Sequence, residues 1–139
     1  MFGILERDGE LRAAPVADLK AENVQGIIAD QVKPGSTIMT DEHASFVGLQ
    51  GRYHHHAVNH SAGEYVRHFC IHVNGIEGAW SLLKRQIYGI HHWVSDKHLG
   101  RYVSEMTWRY NRRTMGEGDR VTAFLADVAG RLTYKALIA

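Results

Sequence analysis

Two charged side chains of opposite sign, Glu77 and Lys84, fall on one stripe of a predicted helix. They are seven residues apart, which is close to two turns of an α-helix, so both side chains lie on the same side of it. A carboxylate near the start of a helix can bind a metal ion, and an ammonium group two turns further on can bind a phosphate. The spacing predicts a place for both ligands side by side, provided that other residues meet them there.

A further carboxylate belongs to Asp41, at the end of a predicted buried strand over residues 36–40. Ligands of α/β proteins bind beyond the ends of such strands, which favours a chemical role for Asp41. A structural role is open for both carboxylates. Asp41 has the position of an N-cap for a helix from residue 42, and Asn74 with Glu77 has the spacing of a capping box. Spacing alone leaves both interpretations standing.

The elements that must position these residues follow from turn signals and hydrophobic periodicity. Asp8-Gly9 predicts a hairpin between two short strands, because both residues tolerate a positive φ. A helix is predicted over residues 18–32, with Asp18 as its N-cap, and Pro34 disfavours helical backbone just before it. A short helix over 42–49 and an extended segment over 53–60 are also predicted.

Three amphipathic helices are predicted in the second half of the chain: the one that carries Glu77, one from Ser95 and one from about residue 121. The residues expected to face the core are Ile76, Trp80, Leu83 and Ile87 in the first, Leu99, Tyr102, Val103, Met106 and Tyr110 in the second, and Phe124, Leu125, Val128 and Leu132 in the third. Four arginines lie mostly away from the apolar face of the second helix, and they form either a solvated surface or one that contacts phosphates. These are Arg101, Arg109, Arg112 and Arg113.

Three consecutive histidines at residues 54–56 raise the alternative of a zinc site. Consecutive residues of a strand point to opposite faces, and zinc sites draw their ligands from separated positions. A solvated or DNA-facing segment is therefore the favoured interpretation of this cluster.

Composition indicates an ordinary globular protein with a core of normal size. The chain has 139 residues, 45% hydrophobic and 22% charged, with a formal net charge of +1; this length suits one domain over residues 1–139. Cys70 is the one cysteine, so a disulfide framework is excluded and a reducing cytoplasm is expected. No apolar stretch approaches the roughly 20 residues that span a bilayer, so a membrane partner is not expected.

Several segments resemble, in order, the motifs of bacterial insertion-sequence transposases of the DDE class, in their ISXO-type branch. They are TDEHAS at residues 40–45, HHHAVNHS at 54–61, HVNGIEGAWSLLKR at 72–85, residues 98–111 around Glu105 and Arg109-Tyr110-Asn111, and RLTY at 131–134. The resemblance implies an α/β fold with an RNase H-like mixed sheet flanked by helices.

The resemblance also implies a function: metal-dependent cleavage and transfer of DNA strands at transposon ends. In this class three residues hold two divalent cations, normally Mg²⁺ and alternatively Mn²⁺. Asp41 matches the second of these residues and Glu77 the third, with Asn74 as the alternative third ligand. Lys84 matches a residue that contacts DNA phosphate. The other residues expected to bind DNA are Arg85, Arg109, Arg112 and Arg113.

One part of the family pattern is missing from this sequence. The first catalytic aspartate of the family precedes the segment that resembles residues 2–5, and neither Asp8 nor Asp18 fits an inner strand. We therefore expect a partial RNase H-like domain that lacks the first core strand, with strand cleavage lost or severely reduced. The alternative is a non-catalytic DNA-binding or regulatory remnant. The strands beside the missing one either close up or leave open edges, which favour association with another chain, including a second copy.

Overall fold

The computed structural model describes residues 1–58 and 73–128, which contain four strands and four α-helices. The strands are β1 (Phe2–Leu5), β2 (Leu11–Ala14), β3 (Thr37–Thr40) and β4 (His54–Ala57). The helices are α1 (Ala21–Gln31), α2 (Asn74–Gln86), α3 (Asp96–Asn111) and α4 (Glu117–Asp127), and a π-helical turn (Ile87–His91) continues α2. No helix within the described residues is long and apolar enough to cross a bilayer.

The first two strands form the predicted antiparallel hairpin, with Phe2 opposite Ala14 and Leu5 opposite Leu11. Asp8 adopts a φ of 58° in the turn. The backbone N–H of Glu6 donates to the carbonyl of Glu10 at 3.0 Å and closes the loop. Short polar residues tolerate this left-handed conformation, so the turn chemistry of Asp8-Gly9 was sufficient to locate the hairpin.

The second pair of strands, β3 and β4, is parallel, with Thr37 opposite His54 and Thr40 opposite Ala57. Both strands were predicted, over the longer ranges 36–40 and 53–60; residues 59 and 60 lie outside the described part of the chain. The prediction that the first of these strands is buried holds only at its end, since Thr37 is exposed and Thr40 is buried.

Two hydrophobic clusters lie on opposite sides of β1, because successive side chains of a strand point to opposite faces. Phe2 and Ile4 pack against a cluster built mainly by α1 and the segment after β3, which contains Val24, Ile28, Leu49 and Tyr53. Leu5 packs against a second cluster from β2, α2 and α3, which contains Leu11, Ala79, Leu83, Val103 and Met106. The apolar faces predicted for α2 and α3 supply much of this second cluster.

Three helix predictions require correction. α1 begins at Ala21 rather than at residue 18, and its N-cap residue, Lys20, makes no side-chain capping bond. The Asp18 carboxylate instead accepts hydrogen bonds from the Lys20 N–H at 3.0 Å and from the Asn23 side chain at 2.7 Å. These hydrogen bonds lower the pKa of Asp18, the Lys20 backbone contributing most.

The predicted helix over 42–49 is replaced by two short 3₁₀ turns, Ala44–Phe46 and Leu49–Gly51. The last helix begins at Glu117, four residues before the predicted start, and it has no buried residue. Phe124, Leu125 and Val128, which follows the helix, are at least half exposed, so they do not join the core. Phe124 nevertheless contacts the Trp108 ring of α3 edge-on at 6.0 Å, which docks the helix on the domain as predicted. Leu132 lies outside the described residues.

The described residues therefore form an α+β arrangement with two separate two-stranded sheets. The strands of this part of the chain do not pair into the single mixed sheet that the family resemblance implies. β1 is paired on one edge by β2, and β3 is paired on one edge by β4.

Candidate functional site

A groove of about 1100 Å³ is lined by both β1 and β3. The C-terminal half of α1 and the first two turns of α2 complete its walls. Much of its lining is apolar, including Ile28, Ile38 and Trp80, but Asp41 and Glu77 both line it as well. The two carboxylates singled out in the sequence are thus brought to one cavity by separate elements.

Asp41 immediately follows β3, and its side chain is exposed. Its Oδ1 accepts a hydrogen bond from the backbone N–H of His43 at 3.1 Å, a turn in which an aspartate bonds the backbone two residues on. The expectation that Asp41 is the N-cap of a helix is wrong. His43 is the N-cap of the first 3₁₀ turn and accepts from the N–H of Ser45 through its ring.

A hydrogen-bonded chain links Asp41 to the neighbouring strand. The Thr40 hydroxyl donates to the backbone carbonyl of Asp41 at 2.7 Å and lies 2.8 Å from Nε2 of His55. Because the one hydroxyl proton of Thr40 goes to that carbonyl, Nε2 of His55 carries a proton and donates it to the Thr40 oxygen. The end of β3 is therefore fixed against β4 next to the candidate ligand.

The remaining ring nitrogen of His55 explains its preference for the neutral form. Nδ1 is buried, and no hydrogen-bond partner reaches it from the described residues. A proton there would be a buried, unsatisfied donor on a charged ring. Burial lowers the pKa of His55, and the charge of neighbouring His56 lowers it further. His54 and His56 are exposed, so the three histidines do not converge, as the strand geometry predicted.

Glu77 lies in the first turn of α2, exposed and facing the groove. The helix starts close to β1 because residue 75 is a glycine: a Cβ at Gly75 would lie 2.9 Å from Cδ2 of Leu5. The capping-box prediction is wrong, since Val73 is the N-cap residue, makes no side-chain capping bond, and leaves Asn74 as the first helical residue. Asn74 is exposed.

Oxygen ligands of this kind suit Mg²⁺ better than zinc. Mg²⁺ is commonly held by one or two carboxylates and completes its shell with water, which fits the donors Asp41 and Glu77. Residues 1–58 and 73–128 contain no cluster of three His, Cys, Asp or Glu side chains able to hold one metal ion. Among the described residues, five carboxylates line the groove, those of Glu6, Asp8, Glu10, Asp41 and Glu77, but no three of them form a metal site.

The basic residues predicted to bind DNA fall into two structural groups. Lys84 and Arg85 are exposed in the last turn of α2, where positive charge also suits the C-terminal end of the helix dipole. Because α2 is continuous from Asn74 to Gln86, Glu77 and Lys84 do share one side of it, as predicted.

The arginines of α3 and the following turn have intramolecular partners. Arg109 forms an ion pair with Glu105 at 2.9 Å. Arg112 stacks on the Trp108 ring at 4.3 Å and bonds Asp127 at 3.2 Å. Arg113 stacks on Tyr110 at 4.3 Å, donates to the Tyr110 carbonyl and lines the groove. These contacts give the three side chains structural roles beside the predicted role in DNA binding.

Three residues near the site were given no role of this kind in the sequence: Thr40, His55, which was considered only as a zinc ligand, and Tyr88. Thr40 and His55 both fall inside the segments that resemble transposase motifs, but no spacing rule connects residues 15 positions apart on different strands. Tyr88, one turn beyond Lys84, was not singled out, although a large aromatic residue following two cations was the available signal.

Comparison with known proteins identifies the family. The ISXO2-like transposase domain matches residues 1–111. A protein of Haemophilus influenzae strain Rd, described as an uncharacterized transposase-like protein, is 29% identical over 97 residues, which cover 69% of this chain and 76% of that protein. No solved structure matches the chain. Since the family match spans most of the sequence, the chain belongs to the ISXO2-like transposase domain family.

Proposed function

We propose that the chain is a DDE-type catalytic domain for transposition of an insertion sequence, with Asp41 and Glu77 as two of its metal ligands. The observation that carries this proposal is that Asp41 and Glu77, from separate elements, line one groove in a chain of the transposase family. When bound, Mg²⁺ or Mn²⁺ would activate the attacking oxygen and stabilise the leaving oxygen at the scissile phosphate.

The residues of the chain would bind the cation and the DNA and hold them in position. Asp41 and Glu77 hold the cation, with Asn74 as the alternative to Glu77, and the Thr40–His55 chain fixes the strand end that carries Asp41. Lys84 contacts a DNA phosphate as a point charge on the same side of α2 as Glu77. DNA of the transposon ends is the proposed partner.

We propose an RNase H-like core in which one more strand lies between β1 and β3. The support is that both strands line the same groove while each has, among the described residues, a strand partner on a single edge. Such a strand would supply the missing backbone partners and the remaining carboxylate. Without a third ligand beside Asp41 and Glu77, the proposed site would cleave DNA weakly or not at all.

The test separates cation binding from cleavage. Binding of Mn²⁺ is measured by the loss of its free-ion electron paramagnetic resonance signal, for wild type, Asp41→Asn, Glu77→Gln and, as a control, Glu22→Gln in α1. Weaker binding in the first two variants, and not in the control, is expected. Equal binding by all four proteins would contradict the metal-site assignment.

Cleavage is then assayed on duplexes that carry terminal inverted repeats, with and without an Asp-containing strand fused before Met1. Cleavage that requires the fused strand and is abolished by Asp41→Ala supports the three-ligand core. A runner-up function, DNA binding without catalysis, is favoured by the absence of a three-residue metal cluster in the described residues. Salt-sensitive binding of DNA without cleavage in either form would support it instead.

A further inference from the structure

Three large apolar side chains are exposed just beyond Lys84 and Arg85. Tyr88 is 74% exposed, Ile90 70% and Trp93 75%. All three lie within six residues of one short segment, and large apolar groups exposed near one another are a feature of binding surfaces.

Tyr88 extends the stripe of α2 that begins at the candidate metal ligand. Glu77, Ser81, Lys84 and Tyr88 follow one another at intervals of four, three and four residues, so each is about one turn beyond the last. The backbone remains helical, since the N–H of Ile87 bonds to the carbonyls of Leu83 and Lys84. Eleven residues of helix place Tyr88 about 16 Å from Glu77 along the helix axis.

The segment that carries these rings is held by its own hydrogen bonds and by contacts with α3. Within it, the N–H of His92 donates to the carbonyl of Ile87 at 2.6 Å, and His92 has a φ of 61°. The His91 ring lies edge-on to Tyr102 at 4.5 Å. Gln86 joins His91 and Glu105, with 3.4 Å to each. Single π-helical turns of this kind often occur at functional sites.

We infer that Tyr88 stacks on an unpaired base of the DNA strand whose phosphate contacts Lys84, and that Trp93 offers a second stacking surface nearby. This inference rests on the proposed function. An aromatic ring beside exposed cations is the combination that binds single-stranded nucleic acid, because every base presents a π-face and every nucleotide a phosphate. At about 3.4 Å per stacked nucleotide, 16 Å puts the stacked base about five nucleotides from the cleaved phosphate, or fewer where the strand is extended.

The test compares two fluorescent DNA probes by anisotropy: a blunt duplex and the same duplex with an unpaired single-stranded end. Tyr88→Ala is expected to weaken binding of the second probe on the order of tenfold and to leave the blunt duplex nearly unchanged. Tyr88→Phe keeps the ring and is expected to bind as wild type does. Val47→Ala is the matched control, since Val47 is 72% exposed on another element.

Abasic nucleotides in the unpaired end remove bases and keep phosphates. Wild type is expected to lose at least the same tenfold on this probe, and Tyr88→Ala is expected to lose less than wild type does, since only the Trp93 surface remains to it. Equal affinity of wild type and Tyr88→Ala for the unpaired end, or indifference to abasic nucleotides, would overturn the stacking, and the rings would then serve a protein partner.

Lys84→Gln distinguishes this failure from a failure of the proposed function. It is expected to weaken both probes alike and to reduce the dependence of log K on log salt by about one phosphate contact. Loss of stacking with the Lys84 effect intact refutes the base contact alone. Absence of salt-dependent binding in wild type refutes the DNA function itself.

Discussion

The side-chain amide of Asn111 hydrogen-bonds to both backbone polar groups of Leu11. Its Oδ1 accepts from the Leu11 N–H at 2.7 Å and its Nδ2 donates to the Leu11 carbonyl at 2.9 Å. Because Glu6 bonds to Glu10 across the hairpin, alternation makes the polar groups of Leu11 point away from β1. The amide thus acts as a substitute strand on the outer edge of β2 and ties the end of α3 to the hairpin.

Replacement of Asn111 by alanine should destabilise the fold substantially. Leu11 is fully buried, so the variant leaves two backbone groups without their partner, and we expect the free energy of unfolding to fall by about 2 to 3 kcal/mol. Urea denaturation followed by circular dichroism measures this change. Asn23→Ala, which removes an exposed amide bonded to Asp18, is the control and should cost under about 0.5 kcal/mol. Equal losses for the two variants would contradict the role of Asn111.

Two glycines should respond to alanine with opposite signs. A Cβ at Gly3 would lie 2.7 Å from Cζ2 of Trp80, whereas a Cβ at Gly26 would meet nothing within 4 Å. Gly3→Ala therefore pushes α2 from β1 at a cost of about 1 to 3 kcal/mol. Gly26→Ala should stabilise α1 by about 0.5 to 1 kcal/mol. Thermal unfolding of both variants checks this; a stabilised Gly3→Ala protein would show that Trp80 moves aside without loss of packing.

The local features of the fold were predictable because local chemistry determines them. Asp8-Gly9 located the hairpin, Pro34 marked the end of α1, and helical periodicity found the buried faces of α2 and α3. Ser95 was correctly predicted as the N-cap residue of α3, but the two aspartate caps were wrong for a physical reason: a short carboxylate satisfies a nearby backbone N–H equally well in a turn as at a helix start. Both Asp18 and Asp41 accept a hydrogen bond from a backbone N–H two residues on, in a turn.

The long-range features had no signal in spacing. The Asn111–Leu11 pair joins residues 100 positions apart, and the exposure of Phe124 depends on which surface α4 meets. The placing of Asp41 and Glu77 on one groove depends on how β3 and α2 are arranged around it, and only the motif resemblance anticipated that. Periodicity describes one element at a time, so it cannot report such contacts.

Stability should depend on pH through His55. Its pKa is lowered in the folded protein, mainly by burial, so the unfolded chain binds the proton more readily. The contribution of His55 is fully present above the unfolded pKa of about 6.5 and is lost as pH falls below it toward the folded pKa. Urea unfolding at pH 8 and at pH 5.5 measures the difference. His55→Gln should flatten this dependence, whereas His54→Gln, at an exposed position, should not; identical profiles would contradict the assignment.

Substitutions of Arg112 and Lys84 should have opposite effects on stability and on DNA binding, although both residues were predicted to bind DNA. Arg112 lies against the Trp108 ring and bonds Asp127 of α4, so Arg112→Gln removes contacts that hold an otherwise exposed helix. We expect it to lower the free energy of unfolding by about 1 kcal/mol. The salt dependence of DNA binding should stay unchanged.

Lys84→Gln should do the reverse, because Lys84 is exposed at the end of α2. Its loss should lower the urea midpoint only slightly, through the helix dipole, and lower the slope of log K against log salt by about 0.7 to 0.9. Both quantities are measured on both proteins, which makes each variant the control for the other. A reduced salt slope for Arg112→Gln at unchanged stability would return Arg112 to the DNA-contacting surface, since a side chain needed to hold α4 cannot be removed without cost to the fold.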